Sequence, residues 1–246
     1  MQNTPIHTPT QTVLTYLLIT FPLVLIATLI SIFYLDKPTA IYFNHLFTIL
    51  ITQYSPWASP MGVLSGHLFN LLTELSYLLI TLFLPIYFFA KLSQASQKKS
   101  KKKSKFYYFL DSLGFMSLTM ALAFFIKSSL QFFFGRFGPR YADSSQLLFL
   151  RNSHLYGFDW LHQAGSFPSG HMCVYGAGLT VLMIYYPKLK YLFLILGLLL
   201  GLGLLLLNYH FLSDVIFGSY LGISTALGMF YYSKFLGAPL SWEIMT

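Results

Sequence analysis

Hydrophobic positions along this chain gather into long runs separated by polar breaks. A helix needs about 20 mostly apolar residues to cross a bilayer. The first such run extends from about Val13 to Leu35, with Pro22 as a kink inside it, and Asp36, Lys37 and Pro38 end it. Residues 39–53 are apolar but short and hold Asn44 and His45, which suits an interfacial or re-entrant helix. Tyr54 to Gly66 carries Pro56, Trp57, Pro60, Gly62 and Gly66 and reads as a loop. Further runs cover about His67–Ala90, Phe106–Phe134, Ser169–Pro187, Tyr191–Leu207 and Phe211–Tyr232. There is no internal repeat. The pattern predicts an all-α fold, a polytopic membrane bundle of about six transmembrane helices, with residues 1–246 forming a single membrane domain.

Composition agrees with this pattern. The hydrophobic set makes up 56% of the 246 residues and charged residues only 9%, against roughly a quarter in soluble domains. A water-soluble domain of this length could not bury so much apolar surface. The first run is too long for a signal-peptide core. It lacks a basic stretch ahead of it and a small-residue cleavage pattern after it, so it is expected to be retained. The lone cysteine, Cys173, allows no intrachain disulfide and sits in an apolar run as a buried, inert thiol.

Charge sets orientation. The net charge is +8, and seven lysines fall between Lys91 and Lys105. On a soluble protein such a balance would suggest nucleic acid; on a membrane protein a basic run marks the cytoplasmic side. No nucleic-acid partner is expected, and no obligate protein partner is evident; membrane lipids are the surroundings. With six spans both termini then face the cytoplasm, and Lys188, Lys190 and Lys234 fall on the same side. The polar stretch Gly135 to Pro168, which holds all three arginines, falls outside with the turn at 207–211.

Three clusters meet on that outer face. The first runs from Lys127 to Arg140, at the end of the third span. Arg136 and Arg140 offer planar forks for phosphate oxygens. Lys127 lies about eight residues inside the helix end, roughly 12 Å at 1.5 Å per residue, where a lysine needs a reason to be. The second cluster is Phe167-Pro168-Ser169-Gly170-His171. Ser169 is a good N-cap, Gly170 leaves backbone amides uncovered, and a helix N-terminus attracts anions. His171 faces that anion from the first turn and can protonate a leaving alkoxide. The third is His210-Phe211-Leu212-Ser213-Asp214. His210 and Asp214 share a helical face, so the carboxylate can hold one ring nitrogen and leave the other as a nucleophile. Gly218, on the same face, lets another helix approach.

These clusters resemble the signatures of the type 2 phosphatidic acid phosphatase superfamily, over a phosphatase-like core of roughly residues 67–234. That family holds membrane lipid phosphatases, related soluble acid phosphatases and vanadium haloperoxidases. Pro168-Ser169-Gly170-His171 matches the second signature outright, and His210-x-x-x-Asp214 matches half of the third. Phe134-Gly135-Arg136 with Pro139, and Tyr156-Gly157-Phe158 before Ser166-Phe167-Pro168, look like bacterial members. The resemblance implies a helical bundle with its site at the outer end, and metal-independent, cofactor-free transfer of phosphate to a histidine and then to water. It implies His210 as nucleophile, Asp214 as its orienter and His171 as general acid, with Ser169 and Gly170 on the phosphate. It also implies a bacterial inner membrane and a periplasmic site.

The match departs from the family in its cations. The first signature has lysine, six residues, then Arg-Pro. Counting back from Pro139 puts Gln131 at the lysine position and Gly138 at the arginine position. The third signature has an arginine six residues before its histidine, and Leu204 stands there. The expected phosphate ligands are therefore Lys127, Gln131, Arg136, Arg140, Ser169 and Gly170, with Lys127 reaching up one turn and Gln131 beside it as a neutral donor. His67, Asn70 and Glu74 share a face that lines the cavity or bonds other helices. His154 and His162 have no partner at metal-ligand spacing. The expected activity is hydrolysis of a lipid phosphate or pyrophosphate. Phosphotransfer through the same phosphohistidine is the alternative enzyme, and a non-catalytic lipid-binding or transport protein is the alternative class.

The topology is checked by cysteine labelling in a Cys173→Ser background. Positions within 140–165 should react with an impermeant reagent from outside, and positions within 95–104 only after the membrane is opened. The reverse pattern would put the site in the cytoplasm.

Overall fold

A computed structural model of the chain describes residues 9–53, 58–96, 105–139, 158 and 165–235. It is all-helical among these residues. Helix α1 spans Pro9–Ile30 and passes through a π-helical turn, Ser31–Leu35, into α2, Asp36–Gln53. Then come α3 (Ala58–Ser96), α4 (Lys105–Phe134), α5 (Gly170–Tyr185), α6 (Lys190–Leu206) and α7 (Leu212–Phe235). Five runs are long and apolar enough to cross a membrane: Thr15–Leu46, Asn70–Phe88, Tyr108–Phe134, Pro187–Leu206 and Leu212–Lys234. With α5, whose 16 residues are also apolar, they make the six segments of a multi-pass membrane bundle.

Two boundaries differ from the sequence pattern. Asp36-Lys37-Pro38 does not end the first span, which continues through α2. Pro38 lacks the N–H that would continue the helical ladder, and the π turn Ser31–Leu35 just before it, where Asp36 N–H donates to the Ser31 carbonyl, shifts the hydrogen-bond register at that point. Residues 39–53 are thus part of a continuous helical run rather than a separate interfacial piece. The expected loop at 54–66 is also shorter, because α3 begins at Ala58 despite Pro60 and Gly62.

Helix α5 is central. It packs between α4 and α7, with α6 beside it; α3 covers α4, and α1 lies against α7. The outer helices turn Leu, Phe and Tyr side chains outward along their length, as at Leu18, Leu78 and Leu198. That is the pattern of a bundle whose surroundings are lipid. The inner seam is made of small residues. Ala123, Cys173 and Ala177 are fully buried together, with Leu221 against them. Without a hydrophobic drive between helices in lipid, close backbone approach supplies the packing energy, and small side chains permit it. Gly218 and Gly222 show how close α5 and α7 come. A Cβ on Gly218 would stand 2.6 Å from the Ser169 carbonyl oxygen, and one on Gly222 would collide with the Cys173 carbonyl.

Gly222→Val should therefore force α7 off α5. Overpacking of a tight core typically costs about 1–3 kcal/mol and sometimes more. A clearly lowered midpoint of thermal unfolding in detergent is expected, and an unchanged midpoint would refute the tight seam.

Candidate active site

The end of the bundle where α4 and α6 finish and α5 and α7 begin carries the three sequence clusters. Helix α4 closes at Gly135, whose φ of 56° lies in the left-handed region and whose N–H donates to the Gln131 carbonyl at 2.9 Å. This is a glycine helix stop. The chain returns at Gly165, and Ser166 N–H donates to the Arg136 carbonyl at 2.8 Å. The Phe167–Pro168 peptide bond is cis. Ser169 caps α5: its Oγ accepts from Met172 N–H at 3.4 Å. Its own N–H donates to the Asp214 carbonyl at 3.0 Å, which ties the start of α5 to the first turn of α7.

His210 lies in the turn between α6 and α7. Its Nδ1 is 3.0 Å from the Ser166 carbonyl oxygen, 3.3 Å from Ser166 Oγ and 3.6 Å from Asp214 Oδ2. A proton on Nδ1 is thus donated first to Ser166, and Nε2 keeps its lone pair. From sequence Asp214 is expected to hold this proton directly. In the structure Ser166 stands between them, donating from Oγ to Asp214 Oδ2 at 2.6 Å. Asp214 is fully buried, and Oδ2 also accepts from Phe211 N–H at 3.0 Å.

A cavity of about 220 Å³ opens beside His210. His171 and His210 both line it, their ring centroids 6.3 Å apart and their planes at 68°. Gly170, Lys127 and Gln131 line it as well. The structure therefore brings together the histidines, the start of α5 and the deep lysine. Lys127 Nζ donates to Gln131 Oε1 at 3.0 Å, and Gln131 Nε2 donates to the Pro168 carbonyl at 2.9 Å. A Cβ on Gly170 would lie 3.4 Å from both Lys127 Nζ and Gln131 Nε2. The lysine stem does reach from one turn deeper to the N-terminus of α5. Gln131 is the strut that holds it there.

Other expected residues are placed differently. Arg136 does not face the cavity. It is fully buried, with NH1 donating to Asp214 Oδ1 at 2.6 Å and to Ser213 Oγ at 2.7 Å. Its NH2 donates to Asp36 Oδ2 at 2.7 Å. The Phe158 and Phe211 rings lie 4.7 and 4.3 Å from its Cζ. The phosphate clamp expected from sequence is instead a counter-charge behind the site, because two carboxylates reach it first. Ser169 serves as cap and tie and is not among the cavity's walls. Arg140 lies outside the described residues, as do His154 and His162. Leu204 is fully buried with Met172 and Val215 in an apolar cluster, so that position holds core. His67, Asn70 and Glu74 are exposed on α3 and do not line the cavity; Thr73, Ser76 and Tyr77 of the same helix do.

Sequence reasoning missed four residues. Thr73 Oγ1 is 3.1 Å from His171 Nε2. Tyr175, on the cavity wall, donates from its hydroxyl to the Leu72 carbonyl. Ser166 orients His210. Asp36 accepts from Ser31 Oγ at 2.8 Å and from Ser213 N–H at 2.9 Å, besides Arg136. Only Asp36 had a physical signal: a carboxylate directly after the apolar run from Val13 to Leu35 sits where an unpaired charge is costly.

The model of the PAP2 superfamily matches residues 112–237 of the chain. The matched segment holds Lys127, Arg136, His171, His210 and Asp214 but neither Asp36 nor Thr73. No curated protein matches the chain. Among solved structures it is similar to the crystal structure of the first transmembrane PAP2 type phosphatidylglycerolphosphate phosphatase from Bacillus subtilis. The two are 18% identical over 90% of this chain and 96% of that one, with a TM-score of 0.49.

Arg136→Met would leave two carboxylates buried without their cation. Breaking a buried ion pair from one side costs about 3–5 kcal/mol. The variant should show a strongly lowered unfolding midpoint in detergent. A midpoint near that of the unaltered protein would mean that the guanidinium is not engaged as described.

Proposed function

The chain belongs to the PAP2 superfamily, and from that premise we propose that it is a membrane phosphatase that removes phosphate from a lipid phosphate or pyrophosphate. The observation that carries the proposal is His210 and His171 facing one cavity, with Lys127 at the N-terminus of α5 beside them. In this reading a phosphoryl group lies between the two rings. Its oxygens meet Lys127 Nζ and the uncovered backbone at Gly170, where the partial positive charge of the helix end favours an anion. The walls contributed by Tyr77, Phe124 and Val174 are largely apolar, which suits a phosphate that arrives on a lipid from the bilayer.

The chemistry follows from the hydrogen bonds. With Nδ1–H given to Ser166, His210 Nε2 attacks phosphorus with its lone pair. The bond from phosphorus to the lipid oxygen breaks, and the electron pair leaves on that oxygen, which takes a proton from His171. Water then attacks the phosphohistidine and gives a proton back to His171. The phosphorus–nitrogen bond breaks, its electron pair returns to Nε2, and inorganic phosphate leaves. Thr73 holds the His171 ring in place through the shared contact with Nε2. The equatorial oxygens gain most from fixed donors in the transition state, so Lys127 acts there. On the charge pattern the cavity opens away from the cytoplasm, and the resemblance of its motifs to bacterial members makes that side the periplasm of an inner membrane in this reading.

The test is phosphate release from a panel of lipid phosphates by purified protein in detergent, without added metal. His210→Ala should abolish release and with it an acid-labile, base-stable labelled phosphoprotein. Lys127→Met should slow release roughly 30- to 1000-fold, as expected for a charged donor to a transferring phosphoryl group. Full activity in the His210 variant would overturn the nucleophile assignment, and full activity in the Lys127 variant would remove the lysine from the phosphate site.

A further inference from the structure

Asp36 lies outside the segment matched by the family model, on the N-terminal helical run, yet its carboxylate ends in the same buried cluster as Asp214. The cluster is compact. Arg136 NH1 meets Asp214, NH2 meets Asp36, and Ser213 bonds both Arg136 and Asp36. All three charged side chains are at most 1% exposed. We propose that Asp36 is a positioning residue for the reaction: it supplies the second negative charge that Arg136 requires, so that Asp214 still presents a net negative charge to His210. This rests on the reading of His210 as the phosphate-accepting nucleophile.

The argument is one of charge balance. Asp214 and Arg136 at 2.6 Å form a pair that looks nearly neutral from His210. Phosphorylation makes the ring cationic while Nδ1 keeps its proton, and a neutral pair behind it would do little for that charge. Adding Asp36 makes the sum of two carboxylates and one guanidinium negative. In a buried site such a charge is weakly screened. The other charged or titratable described groups lining the cavity with His210 are Lys127, His171, Tyr77 and Tyr175, of which the lysine and the histidine can carry positive charge and neither tyrosine adds to the cluster's balance while protonated.

Geometry adds a second role. Asp36 accepts from Ser213 N–H, in the first turn of α7. That caps the helix whose start carries Asp214 and follows His210. Negative charge at a helix N-terminus is favourable. The π turn at Ser31–Leu35 precedes Asp36 directly, and Ser31 Oγ holds its Oδ1. π turns inside helices are frequent at functional sites.

Charge and structure are separated by a compensating pair. Asp36→Asn keeps the shape but makes the cluster neutral. It should lower kcat at least tenfold with KM for a lipid phosphate changed less than about threefold, since Asp36 is not on the cavity wall. The double variant Asp36→Asn with Arg136→Met leaves Asp214 alone and restores a net negative charge. Its kcat should rise at least about fivefold above that of Asp36→Asn, and it should unfold at a higher temperature than Arg136→Met. A wild-type kcat in Asp36→Asn overturns the proposal. So does a double variant no more active than Asp36→Asn, which is what a purely structural tie would give. If Asp36→Asn does not fold, the double variant decides alone: folded and active supports charge balance, unfolded overturns it. Activity that survives His210→Ala would instead refute the phosphatase reading itself, whatever Asp36 does.

Discussion

A guanidinium with no access to solvent must have its charge met by protein, and Arg136 is met twice. Removing one ion from water into a low-dielectric interior costs several kcal/mol even after relaxation. Three buried ions are tolerable only when every donor and acceptor is engaged. Ser213, Ser166, Ser31 and two backbone amides take the remaining lone pairs of Asp36 and Asp214. The residues so engaged come from α4's end, the first turn of α7, the segment before α5, and the junction of the first helical run. One cluster therefore fixes how four distant pieces of chain meet. It also explains why the N-terminal run docks against α7 at that level of the bundle.

Close helix packing and the charged cluster depend on each other. Gly218 and Gly222 let the backbones of α5 and α7 nearly touch. Only at that separation can Ser169 N–H reach the Asp214 carbonyl. That bond holds the cap of α5 against the first turn of α7, just after His210, so the two histidines face the same cavity, one from the start of α5 and one from the turn before α7. A larger residue at Gly218 would part them. Small residues along the seam are thus a condition of the site's geometry as well as of the membrane fold.

The division of cations follows from burial. Lys127 holds its Nζ over the Phe124 ring, 4.5 Å from the centroid, and lines the cavity. Arginine suits the enclosed position because its planar fork can satisfy two carboxylates at once. The cavity wall holds a flexible point charge and the interior holds the rigid fork. Leu204 fits this division, since the place of a family arginine is filled by apolar core against Met172 and Val215. This chain therefore meets phosphate, in the proposed reaction, with a lysine and a helix end.

The sequence by itself determined the membrane class, the helical runs and which three residues the proposed reaction assigns as its catalytic trio. Long apolar runs have one stable outcome in lipid, and His171, His210 and Asp214 announce themselves by local spacing. Gly218 was legible for the same reason, as was the upward reach of Lys127 along its own helix face. What the tertiary structure decided was every pairing between distant segments. Asp36 looks from sequence like the polar end of a span, and only packing against α7 turns it into a partner of Arg136. Arg136 looks like a phosphate clamp until two carboxylates occupy it. Thr73 lies in no motif, Ser166 lies in one that gave it no role, and both gain meaning from the histidine each one meets. Local spacing records which groups share a helix face, whereas the partner of a buried charge is chosen by whichever opposite charge the folded chain brings within reach.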